Sequence, residues 1–396
     1  MSEWREVSLG EMLTLQRGFD LPARDRTEGP FPIVSSSGVT GWHAESKVAP
    51  PGVVIGRYGS LGSVHWVTEP FWPLNTSLWV KDFGGNDERF VSYLLKTVSV
   101  DGSTASAVPG VNRNHLHRLP VRRPPVHAQR RIAAVLSAFD ELIEINERRI
   151  EVLEDLARSL YREWFVRFRF PGHNDVTFVD SELGSIPEAW RVRPTREVLS
   201  PVGGGTPSKK RDEYWDGGQI AWFTPSDLTK SGSRYVGESK SRITPLGLSS
   251  SGARLFPAGS VLMTSRATLG VLGIATTDAT CNQGFIVIPP VDGIPAEFIY
   301  EWLAIRKSQL ESIATGATFK EITKTAFTRF PFLLPAREVL ARFKDRIVPV
   351  GEQLHVCEEH NRRLAATRDL LLPRLVTGRL DISDIDLGDL LSTEAA

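Results

Sequence analysis

Ile132-Ala-Ala-Val-Leu136-Ser-Ala-Phe139-Asp-Glu-Leu-Ile143-Glu-Ile-Asn146-Glu-Arg-Arg-Ile150-Glu-Val-Leu153-Glu-Asp-Leu-Ala157-Arg-Ser-Leu160-Tyr-Arg-Glu-Trp164 places an apolar or core-compatible residue at each numbered position. The interval alternates four and three without a slip, the repeat of a coiled-coil seam. At 1.5 Å per residue such a helix is about 50 Å long. Pro124-Pro125 stops the chain ahead of it and Pro171-Gly172 behind it. A second run follows Pro335, with Leu340, Phe343, Ile347, Val350, Leu354, Cys357, Asn361, Leu364, Arg368 and Leu371 in the same spacing. Pro349 falls inside it and is expected to kink or divide the helix; Pro373 and Gly378 are expected to end it. Two seams in one chain need partner surfaces, and the economical solution packs them on each other as an antiparallel pair. Asn146 and Asn361 lie in the seams, where a buried polar residue fixes register at a cost in stability; the alternative puts each at an exposed edge.

The segments before these helices repeat one another. Trp4-Arg5 with Glu11-Met12-Leu13 returns as Trp190-Arg191 with Glu197-Val198-Leu199, and Pro32-Ile33-Val34-Ser35-Ser36-Ser37 as Ala221-Trp222-Phe223-Thr224-Pro225-Ser226. Ile55-Gly56-Arg57-Tyr58-Gly59-Ser60-Leu61-Gly62 is echoed by Thr264-Ser265-Arg266-Ala267-Thr268-Leu269-Gly270, and Asn75-Thr76 by Asn282-Gln283. The offset grows from about 186 to about 210 residues, so the second copy carries an insertion, and the period is far too long for a solenoid. Both copies mix short β-rich runs such as Gly52-Val53-Val54-Ile55-Gly56 with Gly and Pro punctuation, and each closes with a helix, about Glu88 to Val98 and about Ala296 to Ser312. The predicted fold class is α+β: two β-rich domains, 1–122 and 173–335, separated by long helices in 123–170 and 336–378, with a pseudo-two-fold repeat and a tail at 379–396.

Composition sets outer bounds. Lys plus Arg equals Asp plus Glu at 47 each, so no overall positive coat exists, although a local basic face is enough for nucleic acid. From Arg113 to Arg131 there are six arginines, three histidines and no acid. Two widely separated cysteines, Cys281 and Cys357, make neither a disulfide framework nor a zinc cluster. The N-terminus lacks the layout of a signal peptide and no apolar run reaches a membrane span, so a cytoplasmic location is expected.

Catalytic signatures are missing from the sequence. Gly203-Gly204-Gly205-Thr206-Pro207-Ser208-Lys209-Lys210 lacks the phosphate-loop spacing, and Gly56-Arg57-Tyr58-Gly59-Ser60-Leu61-Gly62 lacks that of a dinucleotide loop. No Asn/Asp-Pro-Pro-aromatic motif of an adenine methyltransferase occurs. His115, His117 and His127 lie among arginines, which disfavours a metal cation, and no metal site is predicted.

The ordered set of short motifs resembles the specificity subunit of type I restriction-modification systems over almost the whole chain. Those motifs are Pro124-Pro125, Gln129-Arg130-Arg131-Ile132, Phe139-Asp140, Trp164-Phe165, Ile186-Pro187-Glu188-Ala189-Trp190, Gly204-Gly205-Thr206-Pro207-Ser208, Tyr214-Trp215-Asp216-Gly217-Gly218, Trp222-Phe223-Thr224-Pro225-Ser226-Asp227-Leu228 and Arg368-Asp369-Leu370-Leu371-Leu372-Pro373. The resemblance implies two target recognition domains, each reading half of a split, asymmetric DNA sequence, with the paired helices setting the gap. It implies docking of two adenine methyltransferase subunits and of a restriction and translocase subunit. The chain itself would perform no chemistry and hold no cofactor; S-adenosylmethionine, ATP and Mg2+ would serve the partners. A reading in another class is a protein–protein adaptor with a coiled-coil spacer.

Candidate DNA contacts are polar residues at shared loop positions. In the first copy they are Ser35, Ser36, Ser37, Arg57, Tyr58, Asn75 and Arg113. In the second they are Thr224, Ser226, Asp227, Ser265, Arg266, Thr268, Asn282, Gln283 and Lys320, with Lys209, Lys210 and Arg211 as backbone contacts. Arg offers a planar fork to guanine or phosphate, and Asn and Gln pair with adenine. Against this, each Arg is equally suited to a structural salt bridge, and Asn75 and Asn282 to capping turns. The tryptophans sit in apolar runs and read as core.

Overall fold

The computed structural model describes residues 4–98, 110–316 and 320–382. Two compact units emerge: residues 1–144 with 362–396, and residues 145–361. The division falls inside the long helices, Val126–Tyr161 and Arg337–Val376, so each unit owns a β-rich body and a portion of both helices. The expected boundaries at 122 and 335 instead lie at changes from strand to helix, and that at 170 lies beyond the end of the central helix.

In the first unit, antiparallel strands Arg5–Ser8 and Pro120–Arg123 join the ends of the body. A four-stranded antiparallel sheet runs Thr14–Arg17, Ser77–Asp82, Gly52–Gly56, Val64–Val67. Gly52–Gly56 is buried throughout, which is why it reads as a continuous apolar run. A three-stranded sheet runs Gly38–His43, Phe31–Ser35, Trp72–Pro73, its last pair parallel. Helix Glu88–Thr97 begins where Asp87 accepts the Phe90 amide at 2.7 Å. Its Phe90, Val91, Leu94 and Leu95 share a core with Val53 and Ile55 of the sheet and with Ile132, Leu136, Leu375 and Val376 of the long helices. Gln129, wholly buried, accepts the Asp87 amide (2.9 Å) and donates to Asn86 Oδ1 and the Pro124 carbonyl (both 2.9 Å), tying the start of the long helix to this one.

The second unit repeats these pairings and adds the hairpin of Phe178–Ser181 with Gly184–Pro187. Arg191–Pro194 pairs with Pro331–Leu334. Its larger sheet runs Val202–Gly203, Phe285–Ile288, Val261–Thr264, Leu272–Ala275, and its smaller one Ser241–Ile243, Ile220–Phe223, Ala279–Cys281, again with the last pair parallel. The insertion lies between Phe223 and Val261, and it adds a fifth, parallel edge strand, Tyr235–Val236. The helix expected over 296–312 is two, Ala296–Ile305 and Lys307–Ser312, broken at Arg306.

The helices pair within each unit. In the first, Leu136 and Ile132 meet Leu375 and Val376 in one core, and Arg368 donates to Asp140 at 2.7 Å. In the second, Asn146 Nδ2 donates to Asn361 Oδ1 at 2.9 Å, and Tyr161 and Trp164 meet Phe343 with Ile347 and Leu354 in the same core. Residues early in one helix always meet residues late in the other, so the pairing is antiparallel. Ile132, Leu136, Asn146, Leu340, Phe343, Ile347 and Leu354 are buried; Phe139, Ile143, Ile150, Leu153, Leu160, Asn361 and Leu364 are half-buried.

Neither Pro349 nor Pro373 interrupts the second helix, and Gly378 ends it as expected. Pro349 does not divide the second helix, which is continuous from Arg337 to Val376. Pro349 is exposed, so water can take up the carbonyl that its missing N–H leaves free. Pro373 is likewise exposed and inside the helix; the stop is Gly378, at a left-handed φ of +68°.

Candidate nucleic-acid interface

Backbone hydrogen bonds gather several loops of the first unit. The turn after Gly52–Gly56 closes with the Gly62 amide on the Gly56 carbonyl (3.0 Å), and it is left-handed at Gly59 (φ +73°) and Gly62 (φ +71°). The amides of Arg57 and Tyr58 both donate to the Thr76 carbonyl (3.0 and 3.1 Å), and the Arg57 carbonyl accepts from Val111 (3.0 Å). The Asn75 amide donates to Phe19 (3.0 Å), and Phe19 to Pro73 (2.8 Å). On this frame the Arg57 guanidinium lies 4.5 Å over the Tyr58 ring, and no carboxylate among the described residues pairs with it. Asn75 Nδ2 donates to the Asp20 carboxylate, which has Arg17 3.9 Å away. Arg113 is exposed at the start of the short helix Arg113–His117, capped by Asn112.

The same loops recur in the second unit. Gly270 closes on Thr264 (2.9 Å), Ser265 donates to Gly284 (2.7 Å) and accepts from Ile322 (3.0 Å), and Gly205 donates to Cys281 (2.9 Å). Left-handed backbone falls at Ala267 (φ +61°) and Gly270 (φ +71°). Ladder and turn together place Ser265 at the position of Arg57, Arg266 at that of Tyr58, and Gln283 at that of Asn75. This corrects the sequence echo, which set Arg266 against Arg57 and Asn282 against Asn75. Arg266 donates to Glu321 at 2.9 Å, and Gly110, under the Tyr58 ring, holds the place of Glu321. Each unit therefore places an arginine on this turn at a different step, Arg266 paired with Glu321 and Arg57 without a carboxylate partner among the described residues. Gln283 Oε1 accepts from Thr206 Oγ1 at 2.6 Å.

The other candidates divide by exposure. Ser37, Thr268, Lys209, Lys210 and Lys320 are exposed. Ser265 is buried, as are Ser35, which closes the hairpin onto Gly38, and Ser36, whose carbonyl is held by Ser63 and His65. Thr224 and Asp227 form a capping box for helix Pro225–Ser231, with exposed Ser226 bonded to Thr224. That role was legible in Thr224-Pro225-Ser226-Asp227. Asn282 Oδ1 accepts the Gly284 amide (2.8 Å), a turn-closing bond. Arg211 is occupied by the Tyr214 hydroxyl (2.8 Å) and Glu213 (3.4 Å). The basic run 113–131 is not one face: Arg122 bonds the Thr377 carbonyl, Arg123 Asn86, and Arg131 the Ile382 carbonyl. Asp20 and Thr206 escaped the sequence reading, because their partners lie far along the chain.

Among the described residues, these loops gather no metal-binding cluster. Burial pushes the Cys281 thiol up to about 12, far from a nucleophile's range. Among the described residues no cluster of His, Cys, Asp and Glu could hold a metal ion, and no helix is long and apolar enough to cross a membrane.

Known proteins carry the same doubled plan. The type I restriction modification DNA specificity domain matches this chain twice, over residues 1–155 and 187–346. The chain belongs to that family. Over 205 residues it is 33% identical to the type I restriction enzyme MjaIX specificity subunit of Methanocaldococcus jannaschii, a match spanning 50% of this chain and 46% of that one. Thus the match spans under half the length of that relative. The HindI specificity subunit of Haemophilus influenzae is 21% identical over 338 residues, 70% of this chain and 72% of the relative. The S subunit of a type I restriction-modification system from M. genitalium shares the fold, with a TM-score of 0.64 at 14% identity over 96% of this chain and 97% of that one. Membership of this family supports a role in DNA sequence specificity.

Proposed function

We propose that this chain is the non-catalytic DNA-recognition subunit of a type I restriction-modification complex and reads a two-part, asymmetric sequence in double-stranded DNA. Each loop cluster reads one half, and the paired helices fix the interval between halves. Two adenine methyltransferase subunits, using S-adenosylmethionine, dock on the helices. In a complex that also restricts, a translocase and nuclease subunit using ATP and Mg2+ joins them.

The observation that carries this reading is the repetition of one backbone frame with different side chains upon it. Identical frames suit two sites on one duplex, and unlike side chains suit a target without a palindrome. Arg57, without a carboxylate partner among the described residues, and the exposed Lys209, Lys210 and Lys320 suit phosphate contacts. Ile145, Val152 and Leu156 leave an exposed apolar stripe on the central helix, in keeping with a subunit docked there.

Gel-shift competition with the methyltransferase partner present tests the reading. Salt-sensitive binding that discriminates among duplexes is expected; equal affinity for every sequence sinks it. Replacing residues 173–335 by the matching unit of a relative should change one half of the methylated motif and leave the other.

A further inference from the structure

We infer that Asp20–Asn75 and Thr206–Gln283 are matched base-reading pairs, and that they select bases of opposite hydrogen-bonding character. This rests on the DNA reading proposed above and deepens it.

The two pairs occupy one place in the repeated frame. Phe19 donates to the Pro73 carbonyl as Gly205 does to Cys281. A Cβ on Gly18 would lie 2.1 Å from the Leu74 carbonyl oxygen, and one on Gly204 would lie 2.2 Å from that of Asn282. Only glycine permits this approach, and in both units it brings the residue two steps later against the residue after that carbonyl. Neither pair is buried: Asp20 and Gln283 are exposed, and Asn75 and Thr206 half-buried.

Their chemistry differs in a directed way. A carboxylate only accepts, so Asp20 obliges Asn75 to turn its nitrogen inward and its carbonyl oxygen outward. The outward face of the first pair is then rich in acceptors, with Arg17 nearby to temper the charge. Such a face suits the exocyclic amino group of adenine or cytosine in the major groove. In the second unit the Thr206 hydroxyl donates to Gln283 Oε1, which leaves the Nε2 hydrogens outward. That neutral, donor-rich face suits N7 and O6 of guanine or O4 of thymine. A mere loop brace would be indifferent to this polarity.

Selection from a randomised duplex pool by the full chain assembled with its methyltransferase partner, followed by sequencing of the bound fraction, tests the idea. The D20T/N75Q chain, which gives the first unit the second unit's pair, should exchange an amino-bearing base for a carbonyl-bearing one in one half of the motif. The other half should stay as it was. Asp20→Asn keeps the shape and should lower discrimination at that base about tenfold, while affinity for an unrelated duplex holds or rises. A wild-type motif that both variants reproduce unchanged, or one altered in both halves, overturns this inference alone. A wild-type chain that enriches no motif overturns the proposed function and this inference with it.

Discussion

Asp140 and Gly351 stand at the same step of their helices, counted from Val126 and Arg337, yet one carries a carboxylate and the other no side chain. Around Asp140 the first unit gathers Arg368 (2.7 Å) from the opposing helix, and Arg89 (3.0 Å) and the Tyr93 hydroxyl (2.7 Å) from helix Glu88–Thr97. That helix and Ala296–Ile305 are both ten residues long, and in register Glu297 replaces Arg89 and Glu301 replaces Tyr93. Two carboxylates now stand on the β-rich body, while the long helix keeps one in Glu358. The insertion answers them: Arg234 donates to Glu301 (2.8 Å) and the Tyr235 hydroxyl to Glu297 (3.0 Å), while Glu358 of the long helix accepts the amides of Arg234 (2.6 Å) and Tyr235 (3.0 Å). Gly351 leaves room, since a Cβ there would lie 2.4 Å from the Tyr235 hydroxyl. The same place in the frame is therefore fastened by a different set of partners in each unit.

The two fastenings also differ in wetness. Arg234 and Glu301 are 2% and 4% exposed, Arg89 and Asp140 both 21%. Breaking a buried pair leaves a charge without water or partner, and that dominates the energetics. Arg234→Met should accordingly cost about 3–5 kcal/mol in urea melts, with amide exchange loosening residues 145–361. Arg89→Met should cost only about 1–2 kcal/mol, because water replaces it. Equal losses would erase the contrast.

Gly351→Ala sharpens it at smaller scale. Elsewhere in a helix the change gains about 1 kcal/mol; here the crowded Tyr235 should turn it into a loss of about 1–3 kcal/mol. Tyr235→Phe in the same chain should recover much of that loss. A stabilised single variant would mean that the glycine makes no room.

Acid should affect the two fastenings in opposite directions. Burial holds the pKa of Glu358 above its ordinary 4.5 despite two amide donors. Its contribution is thus complete below pH 4.5 and is lost as pH rises through the folded value. Burial also opposes ionisation of Asp140, but Tyr93, Arg368 and Lys96 outweigh it and hold its pKa below 3.8. That contribution is complete above pH 3.8 and is lost only in stronger acid. As pH falls from 7 to 5 the wild type should gain on Glu358→Gln, while its margin over Asp140→Asn stays flat. Thermal melts of all three chains across that range decide the matter.

The smallest expected effect concerns the turns. Ala267 adopts the left-handed backbone that Gly59 adopts in the first unit. Ala267→Gly should stabilise by about 1 kcal/mol, and Gly59→Ala should destabilise by a similar amount. Calorimetry on both would reveal whether the turns are energetically alike.

The long helices, their seams and the doubling were legible because they are written in period and order. Pro349 as a divider and Pro373 as a stop failed because exposure, which the chain order does not record, decides whether a lost N–H matters. Matching Arg266 to Arg57 failed for a related reason: identity of letters is no substitute for ladder register. The left-handed positions, Gly59 with Ala267 and Gly62 with Gly270, would have given the correct register, but an alanine hides one of them.

Local spacing alone settled the two long helices and the repetition of the β-rich halves, since a 3.5-residue period and a recurring motif order need no distant partner. Tertiary structure decided which charges meet. Asp20 with Asn75, Thr206 with Gln283, and Arg234 with Glu301 are contacts between residues far apart in the chain. Only the closing of strands into sheets brings such groups within hydrogen-bonding reach, and that closure depends on the whole core rather than on any local stretch.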